Sequence, residues 1–134
     1  GKFTGIDISS ETISRAYQNL SSCQNLKLIC NDFMSFEFLN SFDVIYSSLT
    51  FMHIKDKLPA IKKVASLLND DGLFVLSIDK CQDEFIDMGT RKIKIYPDNL
   101  TDIRAFISKA NLKLIDQFET DHAHVTVSKK ASLT

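Results

Sequence analysis

Two aspartates lie near the ends of apolar segments, where a carboxylate is well placed to bind a ligand. Asp7 is the next-to-last residue of the predicted strand Phe3–Ile8, and Asp32 is the next-to-last residue of the predicted strand Leu26–Phe33. A strand-end carboxylate next to a helix start can accept hydrogen bonds from ribose hydroxyls. Asp7 therefore predicts a nucleotide-like ligand. The alternative for Asp7 is a capping or strand-end carboxylate, and for Asp32 a polar turn residue.

The histidines offer a second set of chemical groups. His53 follows the predicted strand Phe42–Ser48 and could act as a general base or a substrate contact. Its alternative is a polar residue near a helix start. His122 and His124 alternate along a predicted strand and so face the same way. Because the sequence indicates no third ligand, we predict an exposed face there and no metal site.

Composition excludes several function classes. The chain has 134 residues, of which 44% are hydrophobic and 25% charged, with a net charge of -1. The near-neutral charge argues against nucleic acid as an obligatory partner. A membrane span needs about 20 consecutive apolar residues, and no run approaches that length. The three cysteines, Cys23, Cys30 and Cys81, form no C-x-x-C pair, which favours a reducing cytoplasm and predicts no catalytic cysteine.

Strand-like and helix-like segments alternate along the chain, which indicates an α/β domain with a mainly parallel sheet. A short polar turn near Asp121 joins the last two strands, so they should pair as an antiparallel hairpin. The predicted strands are Phe3–Ile8, Leu26–Phe33, Phe42–Ser48, Leu73–Asp79, Leu112–Thr120 and Ala123–Lys129. Lys80–Asp98 has weak periodicity. We expect one domain over residues 1–134.

Three helices are predicted between these strands. Ser9 or Ser10 should cap the first, and Asp56 the second, which should stop within Asn69–Gly72. The third covers Thr101–Ala110. Their expected inward faces are, in order, Ile13, Ala16, Tyr17 and Leu20; Leu58, Ile61, Val64 or Ala65, and Leu68; and Ile103, Phe106, Ile107 and Ala110.

This order of motifs resembles the class I S-adenosylmethionine-dependent methyltransferases over Lys2–Lys129. The matching segments are "GIDIS", "CNDF", "FDVIYSSLTFMHIKDK", "LLNDDGLFVLSI" and the terminal β-hairpin. Each is weak alone, but five in order at the right spacing are fairly specific. The resemblance implies a three-layer Rossmann-like α/β fold, S-adenosyl-L-methionine as cofactor and methyl transfer to a small acceptor.

The resemblance also assigns roles to residues of the cofactor site. Asp7 would bind the ribose hydroxyls, with Ile8 beside the adenine. Asp32 would reach the adenine amino group, and Phe33 would offer its backbone to the ring. Ser47 and Ser48 would contact the cofactor where the fourth strand of the family ends.

The loop that leaves that strand would face the reacting methyl group and the acceptor. Its residues Leu49, Thr50 and Phe51 would be substrate-facing, and His53 would be the candidate catalytic group. Tyr46, Phe51 and Tyr96 could line an apolar pocket or belong to an aromatic core.

One departure from the family is large. Glycines occur only at Gly1, Gly5, Gly72 and Gly89, and no two are spaced for the glycine-rich loop of the G-x-G-x-G type. The first strand and helix of the family are also absent, so we expect an N-terminally truncated domain that binds the cofactor weakly. The strands at Phe3–Ile8 and Phe42–Ser48 should each lack a neighbour, which predicts a homodimer through exposed sheet edges.

Two further functions stay open at this point. A nucleotide-binding oxidoreductase shares the strand-end aspartate, although the C-terminal hairpin argues against it. A non-catalytic methyltransferase-like module would account for the absent glycine loop. The acceptor is not specified, and Lys80–Asp98 is the candidate insertion for choosing it.

Overall fold

The computed structural model describes residues 3–7, 10–20, 25–48, 51–80, 85–87 and 92–131. Two compact units divide the chain, Gly1–Leu39 and Asn40–Thr134. Within the described residues, strands and helices alternate in the predicted order, with one additional short strand pair.

The first unit contains two strands and one helix among its described residues. β1 (Phe3–Asp7) and β2 (Leu26–Cys30) pair in parallel, with Phe3 opposite Leu26 and Asp7 opposite Cys30. Helix α1 (Ser10–Asn19) connects them. A parallel pair needs such a crossover, because a tight turn can join only antiparallel neighbours. β2 ends at Cys30, so the prediction that this strand continues to Phe33 is wrong.

Burial in the first unit differs from the prediction. The sequence predicts β1 as a buried strand, but Phe3 is 66% exposed, and α1 has no buried residue. Of the predicted inward face of α1, Tyr17 is 52% exposed and Leu20 is 39% exposed. The Tyr17 hydroxyl reaches the Leu28 carbonyl at 3.4 Å. One helix on a two-stranded sheet covers too little surface to bury these side chains.

The second unit contains the larger sheet. β3 (Phe42–Ser48), β4 (Leu68–Asp79), β7 (Leu112–Glu119) and β8 (Ala123–Lys130) form it in the order β3-β4-β8-β7. β3 and β4 are parallel, whereas β8 is antiparallel to both β4 and β7. The predicted hairpin is therefore confirmed. A separate short pair, β5 (Phe85–Asp87) and β6 (Lys92–Lys94), lies within the segment of weak periodicity.

Helix α2 ends earlier than predicted. It runs Lys57–Leu67, and Leu68, predicted on the inward face of the helix, already begins β4. Leu68 pairs with Phe42, and the register then shifts before Val44 pairs with Leu73. The irregular stretch between them includes Asp71 at φ 63, a left-handed conformation that aspartate tolerates better than most residues.

The caps of the helices are partly as predicted. Asp56 stands at the N-cap of α2, but its side chain makes no capping hydrogen bond. Helix α3 (Leu100–Lys109) is capped instead by Asn99, whose side-chain oxygen accepts from the Asp102 N–H at 3.2 Å. That bond satisfies one of the N–H groups that a helix start leaves open.

The core of the second unit lies between the helices and one face of the sheet. The largest fully buried side chains there belong to α2, β4, α3 and β8, and comprise Ile61, Phe74, Leu76, Ile78, Ile103, Ile107, Thr126 and Ser128. The predicted inward faces of α2 and α3 are thus largely confirmed, although Leu58 and Phe106 are only half-buried.

The opposite face of this sheet is less covered. The apolar sequence of β3 predicts burial on both faces, but Val44 is 57% exposed and Tyr46 63% exposed. β3 is an edge strand paired only with β4 among the described strands. An edge strand has a neighbour on one side only, which reduces burial.

In the described part of the chain, no helix is both long and apolar enough to cross a membrane.

Candidate functional site

Asp7 and Asp32 lie at the same end of the two-stranded sheet. Asp7 is the last residue of β1, and Asp32 follows two residues after β2. The strands are parallel, so their carboxyl ends meet at one edge. The Asn31 N–H donates to the Asp7 carbonyl at 3.0 Å, which ties the two strand ends together. Both aspartates are half-buried. The structure therefore brings together the two carboxylates singled out by sequence.

The Asp32 carboxylate organises the turn after β2. Its Oδ1 accepts from the Met34 N–H at 3.3 Å, and its Oδ2 accepts from the Ser35 hydroxyl at 2.9 Å. The Asp32 carbonyl accepts from the Phe36 N–H at 2.9 Å. This is the polar turn role given as the alternative. Each carboxylate oxygen has a second lone pair, so one further donor can be accommodated at each.

An aromatic cluster lies directly beside this turn. The rings of Phe33 and Phe38 have centroids 5.8 Å apart, and those of Phe36 and Phe38 are 4.8 Å apart in an edge-to-face arrangement. All three are half-buried. Two carboxylates and a half-buried aromatic cluster at one sheet edge are chemically suited to an adenosine, whose hydroxyls and amino group donate. Ile8 lies outside the described residues.

The predicted serines lie at the carboxyl end of β3 in the second unit. Ser47 is opposite Leu76 in β4, and Ser48 is opposite Ser77. Successive strand residues face opposite sides of a sheet, so the two hydroxyls point to different faces. Ser47 is half-buried and Ser48 exposed. Leu49 and Thr50 lie outside the described residues.

The loop after β3 continues as a single 3-10 turn, Phe51–His53. The Phe51 ring is 4% exposed and lies 6.2 Å, centroid to centroid, from Phe74 in the core. Its side chain therefore belongs to the core, one of the two roles considered for it. His53 is exposed at the end of the turn. An exposed imidazole can reach a substrate, as a general base requires.

Lys57, the first residue of α2, forms hydrogen bonds to the backbone of this turn. Its ammonium donates to the carbonyls of Phe51 and Ile54, at 2.5 and 2.8 Å. The same Nζ lies 2.7 Å from Oδ1 of Asp98, which precedes α3. The Lys57 side chain is 10% exposed and that of Asp98 only 1%. A buried ion pair thus connects the turn, the start of α2 and the start of α3.

The environment of Asp98 shifts its ionisation. Burial raises the pKa of the Asp98 carboxyl above its ordinary value of 3.8, while the hydrogen bond and charge of Lys57 act in the opposite direction. The charge of Asp79 adds to the increase, and that of His53 opposes it. Desolvation disfavours the ionised form, which is why burial has this sign.

This shift predicts how stability depends on pH. Between 3.8 and the higher pKa of the folded state, the native protein binds more protons at Asp98 than the unfolded chain. The contribution of Asp98 is therefore fully present below 3.8 and is lost as the pH rises through the folded pKa. Asp98→Asn removes this dependence. We expect the free energy of unfolding of the wild type, minus that of Asp98→Asn, to decrease as the pH rises from acid to neutral.

Denaturant titrations of both proteins across that pH range provide the measurement. A difference that instead grows with pH would show that the attraction of Lys57 outweighs burial, and that the pKa of Asp98 is lowered.

The two C-terminal histidines lie in different elements. His122 is exposed in the hairpin turn, whereas His124 belongs to β8, and its Nδ1 lies 3.6 Å from Glu119 Oε2. Glu119 also pairs with Lys80 at 3.3 Å. Across the described residues, no three histidine, cysteine or acidic side chains are grouped to hold a metal ion.

Sequence reasoning missed Lys57 and Asp98. Lys57 reads as an ordinary lysine in the first turn of a helix, and Asp98 as the polar end of an irregular segment. The proline before Asp98 and Asn99 after it do signal a helix start. Nothing local shows that the carboxylate is buried.

Comparison with known proteins agrees with this architecture. Residues 1–123 match the family model described as "Methyltransferase domain". A curated relative, carboxy-S-adenosyl-L-methionine synthase from Staphylococcus epidermidis, is 32% identical over 97 residues, which are 72% of this chain. The match covers 42% of that relative, so the chain spans less than half of its length.

Solved structures show the same fold at low identity. A candidate S-adenosylmethionine-dependent methyltransferase from Listeria monocytogenes has a TM-score of 0.85 at 14% identity, covering 98% of this chain and 81% of that one. The N-methyltransferase NodS from Bradyrhizobium japonicum WM9, in complex with S-adenosyl-L-homocysteine, has a TM-score of 0.74 at 14% identity, covering 98% and 67%. The fold is therefore the Rossmann-like α/β fold of methyltransferases. The chain belongs to the methyltransferase domain family.

Proposed function

We propose that the protein of which this chain is part transfers a methyl group from S-adenosyl-L-methionine to a small-molecule acceptor. The observation that carries the proposal is the placement of Asp7 and Asp32 at the carboxyl ends of neighbouring parallel strands. Ligands of open α/β sheets bind at this end of the strands. Family membership and the S-adenosyl-L-homocysteine bound to the similar NodS structure support the choice of cofactor.

Each named residue has a part in this proposal. Asp7 accepts the ribose hydroxyls, Asp32 the adenine amino group, and Phe33 offers its backbone beside the ring, next to Ile8. Ser47 and Ser48 contact the cofactor from β3. Leu49, Thr50 and Phe51 form the acceptor-facing loop, although the Phe51 ring itself packs in the core.

Methyl transfer needs little acid–base catalysis by the protein. When bound, the cofactor supplies a methyl group already activated by a positive sulfonium. The residues of the chain then have to align the acceptor in line with that methyl and exclude water. We propose that His53, which is exposed at the end of its turn, orients the acceptor or removes its proton.

A conservative change at Asp7 tests the cofactor site. In protein containing the whole domain, Asp7→Asn should weaken S-adenosylhomocysteine binding by about 1.5–3 kcal/mol, because a charge-assisted hydrogen bond becomes a neutral one. Isothermal titration calorimetry measures the change. Glu11→Gln is the matched control, since its side chain is 80% exposed on α1 of the same unit. Unchanged affinity in Asp7→Asn would return Asp7 to a strand-end or capping role.

The same titration separates the alternative functions. Binding of NAD in place of S-adenosylhomocysteine would favour an oxidoreductase. Binding of neither by protein containing the whole domain would favour a non-catalytic module. A second candidate activity is synthesis of carboxy-S-adenosyl-L-methionine, favoured by the 32% identity with the Staphylococcus epidermidis enzyme named for that product. Mass spectrometry of the nucleoside products distinguishes that activity from methyl transfer.

We further propose that the two units belong to one domain, which the family match over residues 1–123 supports.

We also propose a cytoplasmic location, which the scattered cysteines support.

A homodimer through sheet edges is also proposed. In the described strands, β1 pairs only with β2, and β3 only with β4. An edge strand carrying exposed Val44 and Tyr46 is suited to pair with another strand. We expect sedimentation velocity at micromolar concentration to show a dimer of the 134-residue chain. A compact, cooperatively melting monomer would contradict this.

A further inference from the structure

The ammonium of Lys57 is surrounded by oxygen atoms from separate parts of the second unit. It donates to the carbonyls of Phe51 and Ile54 and lies 2.7 Å from Oδ1 of Asp98. A lysine ammonium has three N–H donors, so these three acceptors match its hydrogen-bonding capacity. Two of them belong to the turn that carries His53.

The burial of this group indicates a specific role. Lysine is almost never buried unless it is paired, and this side chain, which is only 10% exposed, is paired with Asp98 and with two backbone carbonyls. The long side chain starts at the first turn of α2 and points back to the preceding turn. The Ile54 N–H also donates to the Phe51 carbonyl at 2.9 Å. The backbone of the turn is therefore fixed by its own hydrogen bond and by Lys57.

We propose that Lys57 is a positioning residue, which holds the turn Phe51–Ile54, and with it His53, in a single conformation, while Asp98 orients the ammonium. The importance of that turn for the acceptor rests on the proposed function. The hydrogen-bond geometry of Lys57 does not.

An ion pair kept only for stability would have a different consequence. Buried ion pairs can often be replaced by apolar residues of similar volume at little cost. An apolar pair at these positions would supply no donor to the carbonyls of Phe51 and Ile54, so the turn would loosen even in a stable protein. The positioning role therefore predicts that the turn becomes less ordered even in a variant whose overall stability is kept by apolar replacements.

Hydrogen exchange measured by mass spectrometry on the full chain tests this prediction. The double variant Lys57→Met/Asp98→Leu removes both charges and places apolar side chains at both positions. We expect amide exchange in a peptide covering residues 51–56 to become about tenfold faster, the equivalent of one net hydrogen bond. Exchange within β8, Ala123–Lys130, should stay unchanged as the internal control, because this strand makes no contact with the Lys57–Asp98 pair. Unchanged exchange in the turn of a folded double variant would overturn the proposal.

A second variant decides the question if the double variant does not fold. Lys57→Arg keeps the charge opposite Asp98, but its planar guanidinium cannot direct donors as a compact ammonium does. Faster exchange of the turn in Lys57→Arg, with exchange of β8 unchanged, supports positioning, whereas exchange of the turn at the wild-type rate overturns it. Titration of the unaltered whole domain with S-adenosylhomocysteine tests the proposed function separately, so either idea can fail without the other.

Discussion

Phe74→Ala is expected to lower the free energy of unfolding by about 3–5 kcal/mol, the range for removing a large aromatic side chain from a well-packed core. Phe74 is 0% exposed in β4, and its ring lies 6.2 Å from that of Phe51. The substitution leaves a cavity in the core and removes the aromatic partner of Phe51. Because Phe51 begins the 3-10 turn, the loop that carries His53 should become less ordered as well.

Urea denaturation followed by circular dichroism measures this loss. Phe118→Ala is the matched control, because Phe118 belongs to β7 of the same sheet but is 50% exposed. Its replacement should cost about 1 kcal/mol or less, as for most surface changes. Similar losses at both positions would mean that the face of the sheet with Phe74 is not the core of this unit.

Lys57→Met is expected to cost about 3–5 kcal/mol, the range for breaking a buried ion pair by removing one partner. The change leaves the Asp98 carboxylate, 1% exposed, without the cation that compensates its charge. It also removes a donor from the carbonyls of Phe51 and Ile54. The loss should be smaller at acid pH, where Asp98 is protonated and no buried negative charge remains.

A double-mutant cycle separates the ion pair from its surroundings. Lys57→Met/Asp98→Leu should be more stable than Lys57→Met alone, because the uncompensated carboxylate is gone. Thermal or urea unfolding of the wild type, both single variants and the double variant gives the coupling energy. Additive losses would show that the two groups do not interact energetically despite their 2.7 Å separation.

The fold and the family do not identify the reaction, which depends on the side chains of the site. Functions differ widely among proteins that share a fold, because chemistry depends on particular side chains. The side chains proposed for that chemistry are Asp7 and Asp32 for the cofactor and His53 for the acceptor. The Asp7 titration and the identification of nucleoside products therefore carry more weight for the activity than any further structural similarity.

The sequence alone determined the order of elements and the candidate cofactor carboxylates. β3 was predicted with its observed bounds, and the terminal hairpin nearly so, because apolar alternation and polar turns are local signals. The pairing of β1 with β2 then brings Asp7 and Asp32 to one sheet edge, because the ends of parallel strands meet there. Asn99 as a helix cap could have been found from its position, although it was not predicted.

Only the tertiary structure decided which apolar faces are covered. Phe3, Tyr17 and Tyr46 occur at positions whose periodicity predicts burial, yet all are more than half exposed. Periodicity identifies the face that could be buried, but burial depends on which elements pack against it. The early start of β4 at Leu68 has a similar cause, because pairing with Phe42 overrides the helical pattern of the residues before Gly72.

The buried pair of Lys57 and Asp98 was also decided by tertiary structure. The two residues lie on opposite sides of β4 in the sequence and meet only because α2 and α3 pack together. A charged residue in a polar segment is normally expected in solvent, since desolvation of an ion is costly without a partner. That partner is distant in sequence, so neither the burial of Asp98 nor the anchoring of the His53 turn could be predicted from local pattern.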